Sequence, residues 1–294
     1  MDFFLQILAN SLVLGTQILF LAISLYLIKA VSKIEHVALG AIGTTVAYGF
    51  YYGLNLNQSY TTAVIIALVT ATILGLISFH LLEKLYKNKD ILLALLLSLA
   101  FALGLESLVA IVFSSQAKNI IEGVLPTISF GNIQFTLPGI YTILIGVVLA
   151  FFTYIIVNKT PYGRVLRSIS ENSSLVASLG VNQVKIRKYV YIGASIIAGI
   201  VGILVAMNAS LTPTLGFNYI MIAFIALFVG GAKDIRLTIL ASYLIILIPE
   251  FLINYSPASL NFTNSYRMFF IFIIALLILS YKPNGIFSKY TRNT

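Results

Sequence analysis

The sequence contains no cysteine and few charged residues. Without cysteine, a disulfide framework and a thiolate metal site are both excluded. Only 9% of the residues are charged and 60% are hydrophobic, whereas a soluble globular domain carries about 25% charged residues. No stretch of the 294 residues is polar enough to form a separate soluble domain. The composition therefore predicts a single all-α membrane domain over residues 1–294.

Motifs for common catalytic chemistry are also missing. The sequence has no G-x-x-x-x-G-K-[ST] phosphate loop, no H-E-x-x-H and no Ser/His/Asp order. Its two histidines, His36 and His80, lie far apart and are each expected at a membrane interface. No basic residue precedes the first apolar stretch, so we expect that stretch to be a span rather than a cleaved signal. We expect neither an enzyme nor a bound metal or cofactor.

Nine apolar segments are long enough, or nearly so, to cross a bilayer. They lie at about residues 4–28, 34–53, 61–82, 91–113, 138–157, 189–208, 216–232, 235–253 and 267–281. The second begins with Glu35 and His36, and the seventh is short and ends in Gly230-Gly231. Either is a candidate for a broken or re-entrant segment. The prediction is a polytopic protein with about nine transmembrane helices (8–10).

The basic residues predict the orientation. If the N-terminus is outside, 16 of the 18 lysines and arginines fall on the cytosolic side, and only Lys118 and Arg267 remain outside. The net charge of +9 therefore reflects membrane topology, and no nucleic-acid partner is needed to explain it. We expect a multi-pass protein of the cytoplasmic membrane with a cytosolic C-terminus.

The longest polar interruption, residues 158–188, has the residues that begin and end short helices. It holds six of the basic residues and a single acid, Glu171. The predicted helix signals are Thr160 as a cap before Pro161, Asn172 or Ser173 as a cap for a helix over Ser174–Leu179, Gly180 as its left-handed end, and Asn182 as the cap of the next span.

Leu175, Val176 and Leu179 share one face of the second predicted helix. On the cytosolic side such a face has no lipid to cover it. Two interpretations follow from the residue types alone. The face docks into a groove of a partner, or the loop is an interfacial segment that only satisfies the positive-inside rule.

This loop resembles that of the inner-membrane permeases of branched-chain amino-acid ABC importers, the LivH type, whose pattern is roughly T-x-x-G-R-x-x-R-A-x-x-E-[DN]-x-x-x-A-x-x-L-G-[IV]-N. Ser168 replaces the usual Ala, and Lys233 and Asp234 replace half of a later G-G-x-G-s motif. Lys282–Phe287 is similar to the family's closing R-P-x-G-L-F, whereas His36–Gly40 aligns weakly with its N-F-A-H-G. The matches are Thr160, Gly163, Arg164, Arg167, Glu171, Asn172, Ala177, Leu179, Gly180, Val181 and Asn182.

The resemblance implies a permease subunit that translocates branched-chain or related amino acids. Its implied partners are two ABC ATP-binding subunits, a second permease subunit (the same or a sister chain), an extracytoplasmic substrate-binding protein and the lipid bilayer. ATP would be used by the partner subunits and not bound by this chain. The loop would contact the ATPase through Arg164, Arg167, Glu171, Asn172, Leu175, Ala177, Leu179 and Gly180.

Stripes of small residues predict close helix packing within the membrane. One stripe is Ala194, Ala198, Gly202 and Ala206, and the other is Ala41, Thr45, Gly49 and Gly53. Lining a substrate path is the alternative role for such residues.

Two acids lie in or near the predicted hydrocarbon layer. We expect Glu250 to pair with Arg267 at the outer surface, because an unpaired carboxylate in lipid is costly. Glu106 has no evident partner and is a candidate, with Asn208 and Thr45, for the substrate path.

Besides a non-transporting membrane scaffold, which the pattern of the loop disfavours, two alternatives to the amino-acid importer stay open. One is an ABC permease for another small solute, such as a sugar, a nucleoside or urea. The other is an ion-coupled secondary transporter, which would need buried acids at the membrane midplane; only Glu106 comes near this requirement. The outer loop Ser114–Leu137 is a candidate surface for a substrate-delivering protein.

Overall fold

A computed structural model describes residues 2–57, 59–88, 90–121, 123, 125–231, 235–256, 262–282 and 285–286. Within these ranges the chain is almost entirely helical. A two-stranded hairpin and a short 3-10 turn, Asn264–Tyr266, complete the described structure. The helices are α1 Asp2–Ser32, α2 Leu39–Asn57, α3 Tyr60–Asn88, α4 Ile91–Phe113, α5 Leu137–Lys159, α6 Pro161–Glu171, α7 Ser173–Ser178, α8 Gln183–Asn208, α9 Leu215–Gly230, α10 Ile235–Asn254 and α11 Arg267–Tyr281.

Seven helices in the described part of the chain are long and apolar enough to cross a membrane: α1, α3, α4, α5, α8, α10 and α11 with the turn before it. Each of the nine predicted segments coincides with a helix. However, α9 has only 16 residues, and α2 does not meet the same criterion. The predicted all-α polytopic fold is confirmed, whereas the count of nine crossings stays a prediction.

The second segment starts later than predicted. Residues 33–38 are not helical, and α2 begins at Leu39. Lys33 has a φ of 56°, which takes the chain out of α1 through the left-handed region. His36 is 1% exposed, so it lies inside the protein, and its predicted position at a membrane interface stays a prediction. Its Nδ1 lies 2.8 Å from the Ser98 hydroxyl on α4, because the connection folds into the bundle instead of lying at its surface.

Helix α1 forms the centre of the bundle. In the apolar 18-residue stretch of α1, 78% of the residues are buried. The corresponding share is 22% in α4 and in α5 and 11% in the last span. All of these helices are strongly apolar, and a helix that is apolar on every side either fills a core or faces lipid. The helices α4, α5 and α11 therefore lie at the periphery and present their side chains to the bilayer or to another subunit.

The outer loop forms a hairpin that the sequence analysis missed. Strands β1, Thr127–Phe130, and β2, Ile133–Thr136, pair in antiparallel fashion with Ile128 opposite Phe135. Gly131 turns the chain at a φ of 62°. The Gln6 side chain of α1 holds the hairpin by bonding to both the amide and the carbonyl of Gln134. The sequence does carry a hairpin pattern, because two short runs of β-forming residues flank Gly131-Asn132.

Contacts between helix ends define two ends of the bundle. At the hairpin end, Asn208 near the end of α8 accepts a hydrogen bond from Thr136 at the start of α5. At the opposite end, Lys29 of α1 lies over the ring of Phe228 at the end of α9, 4.0 Å from its centroid. The amide of Ile286 bonds to Val229 at that same end. Helix α8 therefore runs opposite to α1, α5 and α9.

Candidate functional site

The corner between α5 and α6 begins the predicted loop. The Thr160 hydroxyl accepts a bond from the Gly163 amide, and Pro161 is the first residue of α6, as the sequence predicts. The two helices meet with no room for a side chain. A Cβ at Gly163 would lie 2.1 Å from the carbonyl oxygen of Val157. Glycine at this position fixes the direction in which the loop leaves the membrane domain.

Helix α6 has one buried face and one exposed face. The buried face is Gly163, Leu166 and Ile169. Leu166 and Ile169 form a small apolar cluster with Val31 at the end of α1. Arg164, Arg167 and Glu171 lie on the exposed side. The helix is thus attached to the membrane domain through its apolar side and presents its charged side outward.

Helix α7 begins and ends one residue earlier than predicted, and only part of the predicted apolar face is exposed. The Asn172 side chain caps it by accepting a bond from the Leu175 amide. Leu175 and Leu179 are 58% and 73% exposed, but Val176 is 3% exposed. The prediction that all three share an unburied face is therefore wrong for Val176. Adjacent residues of a helix point about 100° apart. Val176 therefore packs in the apolar cluster with residues of α1 and α6, while Leu175 points elsewhere.

The end of α7 follows the predicted pattern. Gly180 has a φ of 78°, and its amide bonds to the carbonyl of Ala177. A Cβ at this position would meet no atom within 4 Å, so the requirement for glycine comes from the backbone alone. Two residues later, Asn182 caps α8 by accepting a bond from the Lys185 amide.

The eight predicted coupling residues lie together on the surface of α6, α7 and the turn that follows. All of them are exposed: Arg164, Arg167, Glu171, Asn172, Leu175, Ala177, Leu179 and Gly180. Two exposed leucines, two exposed arginines and an exposed acid suit contact with another protein rather than catalysis. In the described part of the chain, no group of three or more His, Cys, Asp or Glu could hold a metal ion.

The small-residue stripe of α8 lies against α2. Ala194, Ala198 and Ala206 are buried, and a Cβ at Gly202 would lie 2.0 Å from the carbonyl oxygen of Gly43. The other stripe turns toward α3, because a Cβ at Gly53 would lie 2.5 Å from the Cα of Ala63. Close backbone approach of this kind is what small residues permit between helices in lipid.

Helix α9 meets α2 through a second glycine contact that the sequence analysis did not identify. A Cβ at Gly216 would lie 2.0 Å from the carbonyl oxygen of Gly40. The Gly216 amide also donates to the hydroxyl of Thr44 at 2.8 Å. Gly40 and Gly43 are three residues apart, whereas the predicted stripes consist of small residues four positions apart.

The three candidates for the substrate path lie in different places. Asn208 is bonded within the protein: its carbonyl oxygen accepts from Thr136 and its amide donates to Leu204. The Thr45 hydroxyl donates to Ala41 in its own helix. Glu106, on α4, has a buried oxygen with no hydrogen-bond partner among the described residues. The structure does not bring the three side chains together, and their role in a substrate path stays a prediction.

A second acid, Glu250, has the partner that the sequence predicted. Its carboxylate lies 2.5 Å from Nε of Arg267, and its side chain is 6% exposed. The side-chain amide of Asn254 donates a hydrogen bond to the same carboxylate at 3.4 Å. The pair joins α10 to the start of α11 and is confirmed.

Comparison with known proteins identifies the family. The sequence model of the family described as "Branched-chain amino acid transport system / permease component" matches residues 7–279. The chain belongs to this family. The permease is 28% identical over 305 aligned residues, 96% of its own length and 92% of the relative's, to "Probable branched-chain amino acid transport permease protein LivH" of Methanocaldococcus jannaschii. It is 29% identical over 150 residues to "Probable branched-chain amino acid transport permease protein LivM" of the same organism, covering 47% and 44% of the two chains. No solved structure matches the permease significantly.

Several residues of the resemblance lie outside the described structure of the permease. They are Lys233 and Asp234, where the G-G-x-G-s motif departs, and Pro283, Asn284 and Phe287 of the closing motif. Of these two motifs, Gly230, Gly231, Lys282, Gly285 and Ile286 are described. Gly285 has a φ of 93° and lies close to Gly231: a Cβ at Gly285 would lie 2.6 Å from the Cα of Gly231. The two glycine-containing motifs of the permease therefore meet at the end of α9.

The permease also holds an ion pair that the sequence analysis missed. Arg187 of α8 donates from Nε and Nη2 to the two carboxylate oxygens of Glu83 on α3, at 2.8 and 2.6 Å. Arg187 is one of the six basic residues within 158–188, and the sequence predicted no partner for it. The signal that was available is that Glu83 is an acid among the lysines at the end of a span.

Proposed function

We propose that this permease is the membrane-spanning subunit of an ABC importer that carries branched-chain or related amino acids across the cytoplasmic membrane. The observation that carries the proposal is the exposed surface of α6 and α7, which holds two arginines and two leucines. A leucine side chain gains about 1.5–3 kcal/mol when it is fully buried. Leu175 and Leu179 are mostly exposed here, so a partner that covers them gains contact energy. The names of the relatives support the substrate class.

The proposed assembly contains two ATP-binding subunits, a second permease subunit and an extracytoplasmic substrate-binding protein. The sequence has no phosphate loop of its own, so ATP hydrolysis is assigned to the partner subunits and no cofactor to this chain. The similarity to both LivH and LivM supports a pair of related permeases. The second subunit is the same chain or a sister chain.

The proposed topology has nine crossings, with the N-terminus outside and the C-terminus in the cytosol. The short helices α2 and α9 then count as crossings within the bundle, in addition to the seven longer helices. The opposite directions of α1 and α8 support this alternation, since helix ends from α1, α3, α8 and α9 gather at the α6–α7 end. That end also carries most of the basic residues.

Reconstitution tests the function. The permease is purified with the ATP-binding subunits that accompany it and is placed in liposomes with the binding protein. We expect ATP-dependent uptake of radiolabelled leucine, isoleucine or valine that is lost when ATP or the ATPase is omitted. ATP-driven uptake of ribose, uridine or urea instead would keep the transporter class and replace the substrate. Uptake driven by an ion gradient without ATP would contradict the proposal in favour of a secondary transporter.

A further inference from the structure

A series of polar contacts joins helix α7 to the membrane helices. The amide nitrogen of the Gln183 side chain donates to the carbonyl of Ser173, the first residue of α7. The oxygen of the same side chain accepts from Nη1 of Arg187 at 3.4 Å. Arg187 in turn holds Glu83 on α3 through two bonds, at 2.8 and 2.6 Å. The series therefore reaches from α7 through the start of α8 to the end of α3.

The ion pair in this series is buried and held in one orientation. The Arg187 and Glu83 side chains are only 4% and 11% exposed. The guanidinium also lies over the ring of Tyr86, 4.0 Å from its centroid. Two hydrogen bonds to one carboxylate, together with stacking on an aromatic ring, restrict the orientation of an arginine side chain more than a single hydrogen bond does. Burial of two charges is a poor way to gain stability, since the lost hydration offsets much of the attraction. Fixed geometry between α3 and α8 is what the pair provides.

The same face of α8 continues the contacts deeper into the bundle. Tyr191, four residues after Arg187, donates its hydroxyl proton to Ser32 at the end of α1 at 3.3 Å. Its ring lies 6.1 Å from that of Phe79 on α3 and 5.7 Å from that of His36. Residues Gln183, Arg187 and Tyr191 thus contact α7, α3 and α1 in turn, from one helix face.

We propose that Gln183 and the Arg187–Glu83 pair are positioning residues that transmit displacement of α7 to α3 and α8. The inference rests on the proposed function, in which an ATPase subunit contacts α7. A second attachment is apolar: Val176 of α7 shares a cluster with Leu166 and Ile169 of α6 and with Val31 of α1. With both attachments in place, α7 moves together with three membrane helices. Without the polar attachment, α7 still presents its exposed leucines to a partner but no longer moves α3 and α8 with it.

The test measures substrate transported per ATP hydrolysed in the reconstituted complex. Gln183→Ala removes the bond to α7 without burying a charge, and Arg187→Lys keeps the charge but loses the fork and the stacking. We expect both variants to retain their ATPase subunits and to transport about tenfold less substrate per ATP. The matched control is Lys188→Gln, which removes an exposed charge next to Arg187 and should leave this ratio unchanged.

A distance measurement makes the test independent of transport. Because the chain has no cysteine, spin labels are attached at Ser174→Cys on α7 and Lys84→Cys on α3, both exposed positions. The distance distribution should broaden in Gln183→Ala and stay narrow in Lys188→Gln. If Arg187→Lys fails to fold, Gln183→Ala decides the question by both readouts.

Two outcomes separate this inference from the function on which it rests. Unchanged transport per ATP and an unchanged distance in Gln183→Ala overturn the positioning role, even when the complex transports normally. Loss of the ATPase from the wild-type complex, or uptake without ATP, contradicts the proposed function instead. A merely structural role would lower the yield of folded complex in both variants while leaving the transport-to-ATP ratio intact, and that result also overturns the inference.

Discussion

At the residue scale, two glycines of the same loop are required for different reasons. Gly163 lies where α6 turns back on α5, and a Cβ there would lie 2.1 Å from the Val157 carbonyl oxygen. Gly180 lies in open space at a φ of 78°. Alanine at Gly163 collides with a neighbouring helix, whereas any side chain at Gly180 strains its own backbone. Both glycines match the family pattern, but only the structure distinguishes steric from conformational necessity.

The ion pair between Glu250 and Arg267 gives a prediction at the same scale. Glu250→Gln leaves the partly buried Arg267 without its partner, and Arg267→Gln leaves the buried Glu250 without its partner. We expect each change to cost about 1.5–3 kcal/mol of stability. The double variant should cost less than the sum of the two. A double-mutant cycle of thermal unfolding in detergent measures the coupling. Lys188→Gln serves as the control for loss of an exposed charge, and additive effects in the cycle would show that the two residues do not interact.

At the element scale, helix α7 combines an attached side with a free side. Val176 attaches it to α1 and α6, while Leu175 and Leu179 point away from the membrane domain. Six residues are too few for a helix that is stable alone. Its shape depends on the Asn172 cap, on Gly180 and on the contact of Val176. These features hold a small apolar surface in a fixed position for a partner.

Variants of α7 distinguish its two sides. Leu175→Asp places a charge on the free side, and Gly180→Val forces a β-branched residue to a positive φ. We expect both to leave the permease folded while the recovered ATPase and the substrate-stimulated ATP hydrolysis fall about tenfold or more. Affinity purification of the complex and a phosphate-release assay measure these two quantities.

The matched control for these variants is Ser178→Asp, which adds the same charge to an exposed polar position of α7. It should retain more ATPase than Leu175→Asp. Val176→Asp should act differently again, by reducing the yield of folded permease. Full transport with a normal ATPase complement in both Leu175→Asp and Gly180→Val would mean that α7 is not the coupling element.

At the scale of the whole molecule, the absence of native cysteine allows the topology to be tested directly. We expect Ser129→Cys in the hairpin and Asn55→Cys at the end of α2 to react with an impermeant maleimide in intact cells. Ser173→Cys on α7 should react only after the cells are permeabilised. The three positions are described and not buried.

The unmodified protein, which cannot react, controls for background labelling. Reaction of Ser173→Cys from outside would reverse the proposed orientation. Protection of Asn55→Cys, with the hairpin still labelled, would show that α2 does not cross the membrane and would reduce the count below nine.

What the sequence determined by itself is local. The apolar runs, the basic residues between them, the caps at Thr160 and Asn182 and the left-handed Gly180 depend on residues only a few positions apart. Their physical cause, whether hydrophobicity, backbone φ or a single capping bond, is complete within one helix turn or one span. The pairing of Glu250 with Arg267 was within reach for a similar reason, because the two residues lie on consecutive helices.

Only the tertiary structure decided which faces are covered. Val176 is buried because it joins a cluster with Leu166 and Ile169 of α6 and with Val31 of α1, which is distant in sequence. Leu175 lies outside this cluster and is exposed. His36, the glycine contacts of α2 and the Arg187–Glu83 pair all depend on which helices become neighbours. In a chain this apolar, hydrophobic periodicity no longer separates core from surface, since lipid and protein interior favour the same residues. The arrangement of the helices, and with it the attachment of α7 to α3 and α8, follows from close packing and buried polar bonds that no local pattern records.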